Sequence, residues 1–209
     1  MALGSEAFAA EWARGCVELA CRDGVMHQLI ARYPDERLEP HGDVFLTLVR
    51  AVVGQQISVL AAERIWSRVV ALLGSVRPER IAESDHDVLQ GCGLTARKTS
   101  YLEGLADHVV AHPDAWGRLP VLDDAALEHA LTELRGVGPW TAQMAMIFAL
   151  GRLDVLPAAD IGLQRVVADR YGIPRSAESL LELSESWRPW RTLAVWYLWR
   201  DLDPIPVAY

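Results

Sequence analysis

Leu134-Arg135-Gly136-Val137-Gly138-Pro139-Trp140-Thr141-Ala142 reads as the end of one helix, a tight glycine hairpin and the start of a second helix. Glycine reaches the positive φ values of a very tight turn and lets backbone come close to a ligand. Pro139 suits the first turn of the following helix, where its missing N–H costs little. The leading N–H groups of that helix lack an intrahelical partner, and the helix dipole favours an anion beside them. Gly136, Val137, Gly138, Trp140 and Thr141 are therefore candidates for holding a phosphate. Gly-x-Gly alone fits equally a turn shaped for geometry only. Twenty residues after Trp140, a lone carboxylate stands in Leu156-Pro157-Ala158-Ala159-Asp160-Ile161-Gly162.

Helical signals extend in both directions from the hairpin. Asp123 or Asp124 opens the helix that carries Leu127, Leu131 and Leu134, and Trp140, Met144, Ile147 and Leu150 share one stripe of the helix after the hairpin. Upstream, a first helix spans about Ser5 to Arg22, and Asp43 caps a helix whose buried face is Val44, Leu48, Ala51 and Val52. Gly54-Gln55-Gln56-Ile57-Ser58 interrupts that apolar run. Ser58 caps a helix ended by Gly74, Ser84 caps a short one ending near Gly91-Cys92-Gly93, and Thr95 caps another through Tyr101, Leu105 and Val109. Downstream, helices are expected from near Ala158 to Gly172, from Ser176, and from Pro189 onward. Asp203-Pro204-Ile205-Pro206 cannot be regular helix. Alternating β-branched runs are scarce, so the fold class is all-α.

The 209 residues, 51% of them hydrophobic, suffice for one full core or two small lobes. The most apolar stretch, Trp140 to Leu150, is far short of the roughly 20 residues of a membrane span. Three cysteines and no secretion signal fit a reducing cytosol. A net charge of −8 counts against strong non-specific binding to nucleic acid, although Arg97, Lys98, Arg135, Arg152 and Arg165 could form a local basic stripe or be ordinary surface charges.

Three separated stretches resemble the helix-hairpin-helix DNA glycosylase superfamily, and within it the alkylation-repair branch of 3-methyladenine DNA glycosylase II type. They are Gly54-Gln55-Gln56-Ile57-Ser58, then Leu134 to Ala142 with Asp160, then Arg188-Pro189-Trp190-Arg191-Thr192. The resemblance implies two helical lobes, one contiguous from about residue 45 to 150 and one joining 1–44 to 151–209, with a cleft between them for a flipped base. It implies no N-terminal β domain, because too few residues precede the Gln-Gln motif. It also implies a hairpin cation, Na or K, on the backbone carbonyls of Thr132, Leu134 and Val137. The expected partner is double-stranded DNA with damaged bases, met by a monomer in the cytoplasm or nucleoid.

Cleaving the bond between base and sugar builds positive charge on the sugar, and a carboxylate both stabilises that charge and activates water. Asp160 is the candidate for both roles; as an alternative it is a helix-start carboxylate favoured by the dipole. Relatives that also cut the strand carry a lysine where Trp140 stands, and that lysine forms a Schiff base. The single lysine here, Lys98, is far from the motif and reads as a phosphate contact or a surface charge. The expectation is a monofunctional enzyme. No cofactor is required: an iron–sulfur cluster needs four C-terminal cysteines, and none follows Cys92. Cys16, Cys21 and His27 do not make a convincing zinc set.

Gln56, with Gln55 beside it, matches the family's wedge, which fills the gap left by a flipped base. Alternatively both glutamines satisfy backbone groups at the helix break. The tryptophans at the C-terminal end, Trp187, Trp190, Trp196 and Trp199, read mainly as core. By resemblance, Trp199, Trp140 and Met144 line the base pocket, where a π face attracts a cationic alkylated base. Uracil or hypoxanthine removal and a non-catalytic DNA-binding module are the competing readings.

Overall fold

The helices begin where a short oxygen-bearing side chain can catch the first free N–H groups. In the computed structural model, which describes residues 5–203, they are α1 (Ser5–Arg22), α2 (Gly24–Arg32), α3 (Val44–Gly54), α4 (Val59–Leu73), α5 (Pro78–Ala82), α6 (His86–Gly91), α7 (Ala96–Ala111), α8 (Pro113–Arg118), α9 (Asp124–Thr132), α10 (Pro139–Met144), α11 (Ile161–Tyr171), α12 (Ala177–Ser184) and α13 (Arg191–Leu202). Among the described residues there is no β-strand, and no helix is long and apolar enough to cross a membrane. Asp43, Ser58, Thr95, Asp123 and Ser176 each accept an N–H of the first turn, as their positions in the sequence predict.

Four boundaries differ from the sequence expectation. Asp85, not Ser84, caps α6, because Ser84 lies in the turn leaving α5 and its hydroxyl donates back to Arg80 O at 2.6 Å. α11 begins at Ile161 rather than near Ala158, since Asp160 itself is the cap. α13 begins at Arg191, after a cis Arg188–Pro189 peptide and the non-helical Trp190. The helix after the hairpin passes into a π-helical turn over Ala145–Ala149, so Met144, Ile147 and Leu150 do not keep a single α-helical stripe. Beyond Asp203, the expected irregular tail lies outside the described residues.

The chain forms two compact units. One is Asp43–Ala145; the other joins residues 5–42 to 146–203. In the first, α3 packs against α4, α7 and α10, and α10 packs against α9. Leu48, Val69, Leu102, Leu127, Leu131 and Ala142 are fully buried there. In the second, α13 is buried on all sides from Thr192 to Arg200, with α1, α2 and α11 packed around it. Trp12 meets Trp196 edge to face at 5.5 Å. The charges on α13 are paired: Arg200 with Glu36, and Asp201 with Arg32 and Arg170.

Gly15 on α1 lets α13 approach. A Cβ there would stand 2.6 Å from Leu193 Cδ2 and 2.8 Å from the Trp190 ring. Alanine normally stabilises a helix over glycine by up to about 1 kcal/mol. Here overpacking, typically about 1–3 kcal/mol, outweighs that gain. Gly15→Ala is expected to lower stability by about 1–2 kcal/mol in urea unfolding; unchanged or raised stability would show that the α1–α13 contact is looser than it stands.

Candidate active site

The hairpin is built as its glycines suggest, but the two glycines do different work. α9 ends at Thr132, and Val137 N–H donates to Leu134 O at 3.0 Å to close the turn. Gly136 has φ +90, and a Cβ there would lie 2.3 Å from Tyr101 Cγ. Tyr101 on α7 thus packs directly on the hairpin backbone, with the Arg135 guanidinium 5.7 Å above its ring. Gly138 is extended (φ −93, ψ 176) and precedes α10 without a side-chain cap. Nothing lies within 4 Å of where its Cβ would stand. Val137 is buried and holds the hairpin down, while Trp140 is half-buried.

The Gln-Gln turn belongs to the same unit and is tied to the hairpin. Gln55 Nε2 donates to Gly136 O and to Thr141 Oγ1, both at 3.0 Å. This corrects one expectation: Gln55 is turned inward and is not part of a wedge. The Thr141 side chain is buried and bonded to Gln55, which leaves the expected backbone contact with an anion untouched. Gln56 is exposed with φ +58; among the described residues no other non-glycine has a positive φ. Ile57, Val59 and Leu60 beside it are also exposed.

Lys98 is not a loose surface charge. Its Nζ donates to Val53 O at 2.7 Å and Gln55 O at 2.8 Å. Partial burial holds its ammonium below the ordinary lysine range. Arg97 and Arg135 are exposed in this unit, and Arg165 is exposed on α11. Met144, expected in a base pocket, is fully buried at 0% exposure and presents no surface to a ligand.

In the second unit Asp160 caps α11. Its Oδ1 accepts from Leu163 N at 2.7 Å, and its own N–H donates to Pro157 O at 2.9 Å. Gly162 is pressed between Leu202 Cδ2 and Asp160 Oδ1, at 3.0 and 3.2 Å from its would-be Cβ. The loop leading to Asp160 is clamped by the start of α13. Thr192 Oγ1 donates to Arg152 O (2.6 Å) and accepts from Val155 N (3.0 Å). Arg191 donates to both carboxylate oxygens and the carbonyl of Asp154, and Arg188 adds a further bond to that carboxylate. These clamp roles were not read from sequence; the Arg188 to Thr192 motif was visible, but its partners were not. Trp199 is buried and stacks on Phe148 at 5.7 Å and 14°.

An all-helical chain with a glycine hairpin, a glutamine turn bonded to it and a clamped, capping aspartate defines a helix-hairpin-helix protein of the base-excision type. Residues 49–191 match the model of the HhH-GPD superfamily of base excision DNA repair proteins, and the chain belongs to that superfamily. It is similar to DNA-3-methyladenine glycosylase 1 of Schizosaccharomyces pombe, with 30% identity over 184 residues, covering 83% of this chain and 78% of that protein. Among solved structures it is similar to the S. pombe 3-methyladenine DNA glycosylase in complex with abasic DNA, with TM-score 0.77, 28% identity, and 90% and 95% of the two chains covered. A DNA-3-methyladenine glycosidase from Bacillus halodurans gives TM-score 0.74 and 31% identity over 88% of this chain and 87% of that one.

The two hairpin glycines should respond differently to a methyl group. Gly136→Ala meets both a positive φ and the Tyr101 ring, so a loss of about 2 kcal/mol or more is expected in denaturant unfolding. Gly138→Ala meets open space in an ordinary conformation and should cost under about 1 kcal/mol. Equal costs at the two positions would contradict this geometry.

Proposed function

We propose that this chain is a monofunctional DNA glycosylase that takes an alkylated base out of double-stranded DNA and hydrolyses its bond to the sugar, leaving an abasic site in an intact strand. What carries the proposal is the family match, whose span contains the hairpin, the glutamine turn, Asp160 and its Asp154–Arg191 clamp. Relatives named as 3-methyladenine glycosylases supply the substrate class.

Each residue's role follows from its setting. The hairpin backbone at Gly136, Val137, Gly138, Trp140 and Thr141 grips a phosphate through N–H groups, a contact that does not need a positive protein. Gln56, exposed at the turn, fills the space of the extruded base; its amide replaces lost base-pair hydrogen bonds. Trp140, half-buried after the hairpin, offers a π face to a cationic base such as 3-methyladenine or 7-methylguanine, whereas Trp199, the other expected pocket aromatic, is buried with one face on Phe148. A cationic base leaves as a neutral molecule, so no strong general acid is needed. Asp160 stabilises the positive sugar and orients a water, whose oxygen bonds to the carbon that the base leaves and whose proton passes to the carboxylate.

Two features support base removal without strand cleavage. Trp140 occupies the position where strand-cutting relatives carry lysine, and the single lysine is bound to two carbonyls in another part of the unit. A monovalent cation fits the hairpin in its donor chemistry. Thr132 is the last residue of α9, in the turn whose carbonyls lack intrahelical donors, and the Leu134 carbonyl keeps a second lone pair beside its bond from Val137. With the Val137 carbonyl these would hold Na or K, which would supply positive charge near the phosphate. The protein is proposed to act as a monomer.

Asp160→Asn separates chemistry from capping, because asparagine caps a helix as well as aspartate. Release of 3-methyladenine and 7-methylguanine from methylated DNA is expected to fall at least about 100-fold, with an unchanged melting temperature. An unchanged rate would remove Asp160 from the mechanism. Absence of release by the wild type, with binding to abasic DNA retained, would instead point to a binding module; release of uracil or hypoxanthine in preference would point to another lesion.

Borohydride trapping tests the second half of the proposal. No covalent complex of protein and DNA is expected, and strands should break only after heat or alkali. A trapped complex, or direct cleavage by the purified protein, would overturn the monofunctional assignment.

A further inference from the structure

We propose that Lys98 is the positioning residue of the wedge: its ammonium fixes the peptide plane from which Gln56 projects. The inference rests on the reading of Gln56 as the wedge of a base-flipping enzyme.

The last turn of a helix leaves carbonyls without donors. At the end of α3 the chain's own amides serve two of them, Gln55 N–H reaching Val52 O and Ile57 N–H reaching Gly54 O. Val53 O and Gln55 O fall to Lys98. The ammonium also meets the negative end of the α3 dipole. A lysine suits this place: a compact head with three donors can serve two carbonyls in a small space, whereas a guanidinium is a flat, rigid fork. Thr95 holds Lys98 in the first turn of α7 by accepting its backbone N–H at 3.2 Å.

The second of these carbonyls matters most. Gln55 C=O belongs to the peptide unit that ends at Gln56 N. Holding that oxygen holds the plane about which the φ of Gln56 is set. Gln56 sits at φ +58, a conformation costly for a non-glycine, which persists where its surroundings over-determine it. Lys98 grips the carbonyl of Gln55, and the Gln55 side chain is pinned to Gly136 O and Thr141 Oγ1. The turn that carries Gln56 is therefore bonded both to α7 and to the hairpin. A phosphate grip and a wedge built as one rigid piece can insert the wedge without first ordering it.

Lys98→Met in the full chain removes the donors and keeps most of the side chain. Two readouts separate positioning from simple stability. In duplexes with 2-aminopurine beside the damaged base, the brightening that follows extrusion should shrink, and single-turnover base release should fall about 10-fold. Affinity for abasic duplex should stay within about 3-fold. The opposite split, with weakened binding and an unchanged extrusion step, overturns the proposal, and so does no change in either.

A third readout needs no DNA. Amide hydrogen exchange at residues 55–58 should quicken in Lys98→Met while α3 before them stays protected. Unchanged protection there overturns the clamp even if base release has been confirmed. Failure of the wild type to release any alkylated base would sink the proposed function and leave this measurement standing. Should the variant not fold, the isotope-labelled Lys98 ammonium of the wild type decides. As the single lysine it gives one side-chain signal. Slow proton exchange is expected from a doubly bonded ammonium, and free exchange in the presence of duplex overturns the role.

Discussion

Backbone groups that leave a helix must still find partners, and this molecule is organised around that requirement. Its helices are short, so a large share of its peptide groups lie at helix ends. Aspartates, serines and a threonine catch the N-terminal amides from within three residues. The carbonyl ends are served from far away: Val53 and Gln55 by Lys98, Gly136 by Gln55, Arg152 by Thr192, Asp154 by Arg191. Each of these long-range donors ends at a segment that carries, or leads to, a candidate site residue. Stability and local geometry there thus come from the same bonds.

This arrangement also explains how an acidic chain can belong to a family of DNA repair proteins. Many of its charges are spent internally. Asp154 serves Arg188 and Arg191, Asp201 serves Arg32 and Arg170, and Glu36 serves Arg200. What a hairpin offers to a phosphate is a set of backbone N–H groups, and these do not enter the net charge of −8. Their cost is geometric. Gly136 must accept the Tyr101 ring against its backbone, so the hairpin is only as sound as the α7 packing beneath it.

The aspartate at 160 holds two readings at once. As an N-cap it starts α11, and as a carboxylate beside Gly162 it remains the residue that the chemistry proposed above requires. A cap restrains the side chain's direction, and the Asp154 clamp restrains the loop beneath it. Restraint of this kind is what a reacting group needs, because a carboxylate that must be ordered at each turnover would lose part of its advantage.

The all-α class, the hairpin, most helix starts and the spacing from Trp140 to Asp160 were legible in the residues themselves. Caps, helical stripes and glycine turns act over three or four neighbours, so their signals survive in a string of letters. Ser84 and Pro189 show the limit even there, since a neighbouring turn or an irregular stretch moved the start by a residue or two. Three other features depended on folding: which of two adjacent glutamines turns inward, that the single lysine caps α3, and that Met144 is fully covered. The partners of Gln55 lie 81 and 86 residues away and those of Lys98 lie 43 and 45 away. No local pattern encodes such a pairing. It exists because packing brings an unpaired carbonyl and a spare donor to the same half-buried place, where leaving either unmade would be costly.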